Sequence, residues 1–326
     1  MDWTTNVAVH ESAGPDFTRE RILASLARGE VDPALLYAGT RQTTLWLALH
    51  REVSPALQDA SVISLYQQAF ASAAGRFKGN VVHLVSLACG SGGKDLAAIQ
   101  ELRSSERAVI YTPADFSLEM VLTAQRAAAD SFRGLQCTPL VCELLRCSVL
   151  PAILKGFDPS GAERLILFLG TVHNYWPPDI LKSILYPLRS QDRLLLSANL
   201  APAAEYEPAL RRILAQYDNP PTRAWLWGAL SELGLTENDG QLSFHLPAED
   251  RLPSLKRVEA RFEFTRPREI QVFESSRGFS PGDTLRVFHS HRFTPDHIRA
   301  FLAQVSLVVE QEWLAPEEGL FLCRRM

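Results

Sequence analysis

The sequence predicts an α/β protein: a Rossmann-like, doubly wound parallel sheet with a helical N-terminal segment and an inserted α+β subdomain. Three features predict it. From Val81 onward, apolar runs of strand length alternate with amphipathic stretches, which is the pattern of βαβ units. A glycine-rich turn, CGSGG, lies where the first of those runs passes into a helix. Between about 203 and 290 the rhythm breaks into alternating segments such as RFEFT and EIQVF, which suit antiparallel strands.

Residues 1–80 read as a helical cap, because ERILASLARGE and TTLWLALHREV space their apolar positions three and four apart and no strand-like alternation interrupts them. The core then spans 81–202. Its first strand is VVHLVSLA, its second AVIYTPAD ending at Asp115, and Ser117 is placed to cap the helix that follows. CTPLVCEL is the third strand, RLILFLG the fourth and DRLLLSANL the fifth, with Pro177-Pro178 opening the helix between the last two. The inserted subdomain covers 203–290 and starts with the helical EYEPALRRILAQY. Residues 291–326 return to the sheet through a helix opened by Thr294-Pro295 and a terminal hairpin, VSLVVEQEWL with GLFLCRRM.

At 326 residues, 46% hydrophobic and 21% charged, with a formal net charge of -4, the chain has the composition of a globular protein without the basic excess that phosphate backbones select for. Nucleic acid is not an expected partner. No uncharged apolar run approaches the roughly 20 residues that span a bilayer, and the first residues lack a signal-peptide pattern. The expectation is a cytoplasmic protein with no membrane partner; the oligomeric state is not legible. The five cysteines form no CxxC pair, and the cluster His289-Ser290-His291 lacks ligand spacing, so no metal site is expected.

The turn LACGSGGKD decides the ligand. A P-loop needs glycine where Ala88 stands and Ser or Thr where Asp95 stands. A dinucleotide fingerprint fails at its third glycine, since Asp95 would crowd the helix against the sheet and repel a diphosphate. S-adenosylmethionine (SAM) has no phosphate. Gly90, Ser91 and Gly92 supply a turn for close backbone approach, and Lys94 is placed to meet a carboxylate. Asp115, at the carboxyl end of the second strand, is placed for ribose hydroxyls. Taken singly, Asp115 could be a cap for the next helix and Lys94 a solvated first-turn residue; together and in order they favour a SAM site.

These residues carry a resemblance. PALLYAGTRQTTLW, LACGSGGKD, YTPADFS, FLGTVHNY, LLLSANL, YDNP and LRVFHSHRF, in series from about Pro33 onward, resemble the histidine-specific SAM-dependent Nα-methyltransferases of ergothioneine biosynthesis and related dimethylallyltryptophan N-methyltransferases. The resemblance implies a class I methyltransferase sheet, SAM as cofactor and a small-molecule substrate. It implies cofactor contacts at Gly90, Lys94 and Asp115, with Gly170 in the same set and Glu143 and Leu144 beside the adenine. It also implies that Asn174 binds the acceptor's amino-acid portion, Tyr217 its carboxylate, and that Tyr37 stands beside the reacting amine.

The chain also departs from that family. The glycine loop is about two residues shorter, a tyrosine-rich segment is replaced by EVSPAL, and the Glu-x-Ser that binds imidazole appears as Phe288-His289-Ser290. A phenyl ring in place of that carboxylate predicts an acceptor other than histidine, with an aromatic or apolar group. Tyr175, Trp176, Trp225 and Trp227 are available as stacking surface, although at least one of Trp225 and Trp227 is expected to be core. His173 is either a base or a filled core position. The leading expectation is N-methylation of an amino-acid-derived specialised metabolite. Carbon or oxygen methylation on the same scaffold, a non-catalytic SAM-binding member, and a nicotinamide enzyme disfavoured by Asp95 are the alternatives.

Overall fold

The segments Val81–Leu87, Ala108–Asp115, Glu163–Phe168 and Arg193–Asn199 are almost continuously apolar and buried. Such runs are stable as parallel strands only where both sheet faces are covered. In the computed structural model, which describes residues 5–326, they form the parallel centre of a nine-stranded sheet. The terminal hairpin joins it with Glu318–Arg325 antiparallel to both Arg193–Asn199 and Leu307–Leu314. The reversed strand therefore lies inside the sheet. The expected first, second, fourth and fifth strands and the hairpin recur within one or two residues, and Ser117 caps its helix by accepting the Met120 N–H.

Two compact units make up the chain. The first comprises the segment ending at Ala13, Pro55–Leu200 and Thr294–Met326; the second comprises Gly14–Ser54 and Ala201–Phe293. This differs from the expected division into a cap of 1–80, a core of 81–202, an insertion of 203–290 and a return at 291–326; residues 1–4 of the cap lie outside the described residues. The helices Pro15–Ala27 and Thr40–Val53 build a core with the insertion: Leu26, Leu36 and Leu49 pack with Trp225, Phe262 and Leu285. Helical periodicity marks the apolar face but not the partner that covers it. Residues Ala60–Ala74 instead cover the parallel sheet, with Val62, Tyr66 and Phe70 packed among Val82, Leu84, Leu195 and Leu320.

Two further differences are local. Ala8–Val9, inside the supposedly all-helical stretch, pairs in parallel with Leu140–Val141. The third strand is broken into Gln136–Cys137 and Leu140–Val141: Thr138 N–H donates to Tyr111 O and Cys142 N–H to Asp115 O, but Pro113, between those positions of the facing strand, has no N–H to donate in return.

In the second unit, Thr284–Arg292, Leu252–Phe264 and Gly240–His245 form an antiparallel sheet, and Arg268–Val272 pairs with Ser275–Phe279 as a separate hairpin. Helix Pro220–Glu232 lies close against helix Thr40–Val53 at Gly228, where a Cβ would meet Leu45 Cδ1 at 2.9 Å. Gln42 bridges from there, donating to the carbonyls of Leu36 and Trp225 at 3.3 and 3.2 Å.

Candidate functional site

The first unit carries the glycine turn. After strand Val81–Leu87 the backbone enters the left-handed region at Ala88, Gly90 and Gly92, with φ of 55°, 52° and 74°. At Gly92 only glycine fits, since a Cβ would stand 2.8 Å from Ala124 Cβ. The turn is tied to the neighbouring strand by Cys89 N–H donating to Ala114 O at 3.1 Å and Gly90 N–H donating to Asp115 Oδ2 at 3.2 Å. Helix Gly93–Ser104 then begins with its amino end facing this turn.

Asp115 sits at the end of strand Ala108–Asp115 and is buried. Burial pushes its carboxyl up to about 6; the N–H groups of Ser117, Gly90 and Phe116 pull it down, and Glu143 pushes it up. Asp95, where a dinucleotide site has glycine, is also buried, accepting hydroxyl bonds from Ser86 at 2.9 Å and Tyr111 at 2.6 Å. Burial raises it to about 6, against those two hydroxyls and Lys94. Glu143 is buried as well: its N–H donates to Ser12 Oγ, and its Oε1 accepts from Leu145 N–H. Leu144 adds a buried apolar side chain beside it. Three enclosed carboxyls near one turn repel a diphosphate and suit a ligand that presents hydroxyl and amine donors.

Lys94 is held by a network that the sequence did not suggest. Its ammonium donates to Tyr66 Oη at 3.0 Å and lies 4.7 Å from that ring's centroid. The Tyr66 hydroxyl donates to the buried Glu318 at 2.5 Å and is hydrogen-bonded to Ser197 Oγ at 2.9 Å. Ser197 in turn accepts the Gly170 N–H at 2.8 Å. Burial lowers the Lys94 pKa, while Glu318 and Asp95 act to hold its proton. A Cβ on Gly170 would stand 3.2 Å from Lys94 Nζ, so this glycine leaves room for the ammonium. Gly90, Ser91, Gly92, Lys94, Asp115 and Gly170 are thus linked through the turn and this network. Asn174 follows Gly170 in a short 3-10 turn, Val172–Asn174, and His173 in the same turn is buried. Tyr66, Ser197 and Glu318 come from three distant segments; Ser197 lies in the LLLSANL motif, while no motif marks Tyr66 or Glu318.

The second unit brings together Tyr217, Phe288 and Ser290, and adds Tyr37. Tyr217 and Phe288 stack at 6.1 Å between centroids, Trp225 meets Phe288 edge-on at 5.4 Å, and Tyr37 lies 5.4 Å from Trp225 and 6.2 Å from Trp46. Trp225 is buried in the core and donates its indole N–H to Leu36 O at 2.6 Å. Trp227 packs edge-on against Phe262 and is no part of this chain of rings. The Tyr217 hydroxyl is hydrogen-bonded to Ser290 Oγ at 3.2 Å and accepts from Arg292 Nη2 at 2.6 Å. Among the described residues no group of histidines, cysteines and carboxylates could hold a metal ion, and no helix is long and apolar enough to cross a membrane.

Comparisons with known proteins follow this geometry. A family profile described as histidine-specific methyltransferase, SAM-dependent, matches residues 51–324. A search of curated protein sequences found no significant match. Among solved structures, the chain is similar to an O-methyltransferase family protein from Burkholderia thailandensis, at 9% identity and a TM-score of 0.49, covering 95% of this chain and 69% of that one. It is similar to magnesium protoporphyrin IX methyltransferase from Synechocystis PCC 6803 at 14% identity and a TM-score of 0.44, covering 88% and 95%. It also matches the 1,6-didemethyltoxoflavin-N1-methyltransferase of Burkholderia thailandensis at 10% identity and 0.42, covering 87% and 86%.

Proposed function

Because this chain belongs to the histidine-specific, SAM-dependent methyltransferase family and is a SAM-dependent methyltransferase, we propose that it methylates the nitrogen of an amino-acid-derived aromatic acceptor other than histidine. The observation that carries this reading is Phe288. It stands where the family's imidazole-binding carboxylate is expected, and it is flanked by the Tyr217 and Trp225 rings. A phenyl ring offers no acceptor for an imidazole N–H but stacks favourably on an indole or phenyl group, by about 0.5–1.5 kcal/mol beyond area burial.

On this reading Gly90, Ser91 and Gly92 let the backbone approach the cofactor, Asp115 accepts from its ribose hydroxyls, and Lys94 meets its carboxylate. Glu143 and Leu144 take the adenine, and Gly170 leaves space for the lysine. When bound, SAM supplies an electrophilic methyl group, so that a nitrogen–carbon bond forms as carbon–sulfur breaks and one proton leaves the nitrogen. The protein's task is chiefly alignment, because holding reactants collinear and near contact lowers the barrier by several kcal/mol without a strong base. Tyr37 and Asn174 orient the acceptor amine. The amine loses its proton before transfer, aided by a neighbouring positive charge that lowers its pKa. The acceptor is a product of specialised metabolism, met in the cytoplasm.

The test is turnover with methyl-labelled SAM against a panel of aromatic amino acids, their amines and histidine, read by product mass spectrometry. The expected result is label on a nitrogen of an aromatic acceptor and little on histidine. A preference for histidine, or label on carbon or oxygen only, overturns the reading.

A further inference from the structure

Arg292 ends strand Thr284–Arg292 in the second unit and is only 7% exposed. Two other arginines of this unit are as deeply buried, and each has a carboxylate partner. Arg21 meets Asp32 at 2.8 Å, and Arg257 meets Glu249 at 2.7 Å and Glu259 at 2.8 Å. Arg292 has none among the described residues. Its Nη2 donates to the Tyr217 hydroxyl, its guanidinium lies 5.4 Å from the Tyr217 ring centroid, and its Nε is enclosed with no acceptor among the described residues. Glu207 is already paired with Lys256, the residue opposite Arg292 in the strand register.

A buried guanidinium without a counter-charge is costly to keep unless an anion joins it. The backbone there is rigidly held: the Arg292 carbonyl accepts from Tyr206 Oη at 2.6 Å, and that hydroxyl accepts the Lys256 N–H at 3.0 Å. The side chain is held by Tyr217, whose hydroxyl also bonds Ser290. Tyr217 stacks on Phe288 in turn. A cation and an aromatic surface are thus joined through one residue.

We propose that Arg292 is the anion-binding residue of the acceptor site and meets the acceptor's carboxylate. Tyr217, expected to bind that carboxylate itself, is then the positioning residue that holds the guanidinium, and Phe288 takes the aryl group of the same molecule. The ligand class is an aryl-bearing carboxylate, such as an aromatic amino acid, rather than the corresponding amine or amide. This inference rests on the reading of the chain as an aromatic-acceptor methyltransferase and adds the charge that the acceptor must carry.

The experiment uses the full-length protein saturated with S-adenosylhomocysteine. Calorimetry measures binding of tryptophan and phenylalanine against their carboxamides, in wild type, Arg292→Gln, Arg292→Lys and Tyr217→Phe. The expected result is that at least one acid binds about tenfold or more tightly than its amide. Arg292→Gln abolishes that preference, Arg292→Lys keeps part of it, and Tyr217→Phe weakens it with the ring stacking retained. Thermal unfolding and S-adenosylhomocysteine affinity serve as folding controls, and Arg292→Lys keeps the test valid should Arg292→Gln fail to fold. The proposal is overturned if no acid outbinds its amide, or if the preference survives in Arg292→Gln and is undiminished in Arg292→Lys. Failure of S-adenosylhomocysteine to bind, or methylation of histidine alone, would instead remove the reading beneath it; equal methylation of acids and amides would remove only the role of Arg292.

Discussion

In the first unit, the hydrogen bonds that shape the glycine turn join residues no more than 25 positions apart: Gly90 to Asp115, Tyr111 to Asp95 and Ser86 to Asp95. In the second unit, the ring cluster is held by bonds across 73 positions, from Tyr217 to Ser290, and 189 positions, from Trp225 to Leu36. The turn is therefore a property of two successive strand–helix units, in which Ala124 of the second leaves space for glycine alone at Gly92. The aromatic cluster is a set of side chains on a shared core, where one substitution changes the chemistry without altering the backbone. On the proposed roles of these two regions, cofactor choice is confined by backbone geometry and acceptor choice is open to single-residue change.

The sharpest test of that contrast is Asp115→Ala, expected to weaken S-adenosylhomocysteine binding by about a hundredfold or more, as loss of a buried charged acceptor does; unchanged affinity in calorimetry would break it. Next comes Gly92→Ala. The left-handed backbone and the 2.8 Å approach to Ala124 combine to destabilise the first unit by about 2–4 kcal/mol in chemical denaturation. An equivalent change in the cluster, Phe288→Leu, is expected to cost under about 1.5 kcal/mol.

The pH dependence follows from the elevated pKa of Asp115. Its carboxyl in the folded protein titrates near 6, above the ordinary 3.8, so it is ionised at neutral pH. As pH falls through about 6 it gains a proton and, in the ribose-binding role proposed for it, becomes a weaker acceptor. Cofactor affinity is then expected to drop by up to about tenfold per pH unit, and Asp115→Asn to show a weak, flatter profile. The stability sign is opposite. The fold favours the protonated form, so the burial penalty of this group is fully present above about pH 6 and is relieved as pH falls toward 4.

In the ring cluster, proposed to take the acceptor, Phe288→Glu is expected to shift kcat/KM by about tenfold toward acceptors with a polar ring, measured by competition between tryptophan and histidine. The smallest effect is reserved for Tyr66→Phe. It removes the hydroxyl between Lys94, Ser197 and Glu318. S-adenosylhomocysteine binding is expected to weaken by about three- to tenfold, from roughly 1 kcal/mol of lost hydrogen bonding. A tyrosine that merely fills the core would leave the affinity unchanged.

Much of this was legible in the residues. The strand Val81–Leu87, the turn to Gly92 and the acidic end at Asp115 follow one another closely enough for spacing to imply contact. The ring cluster was visible only through the resemblance, which named Tyr37, Tyr217 and Phe288 without a local pattern to connect them. Tyr66, Glu318 and Arg292 escaped notice. A tyrosine on an apolar helix face, a carboxylate at a strand start and an arginine at a strand end each look like ordinary residues until their neighbours are known.

By itself the sequence determined the parallel sheet, its reversed final strand and the phosphate-free glycine turn, because each depends on periodicity or steric demands within a few tens of residues. The tertiary structure alone decided that Gly14–Ser54 builds its core with Ala201–Phe293, that Lys94 is held through Tyr66 and Glu318, and that Arg292 is buried with no carboxylate partner among the described residues. Those are matters of which distant side chains meet. Hydrophobic burial is non-directional, so an apolar face specifies that it will be covered and leaves its partner to the packing of the whole chain.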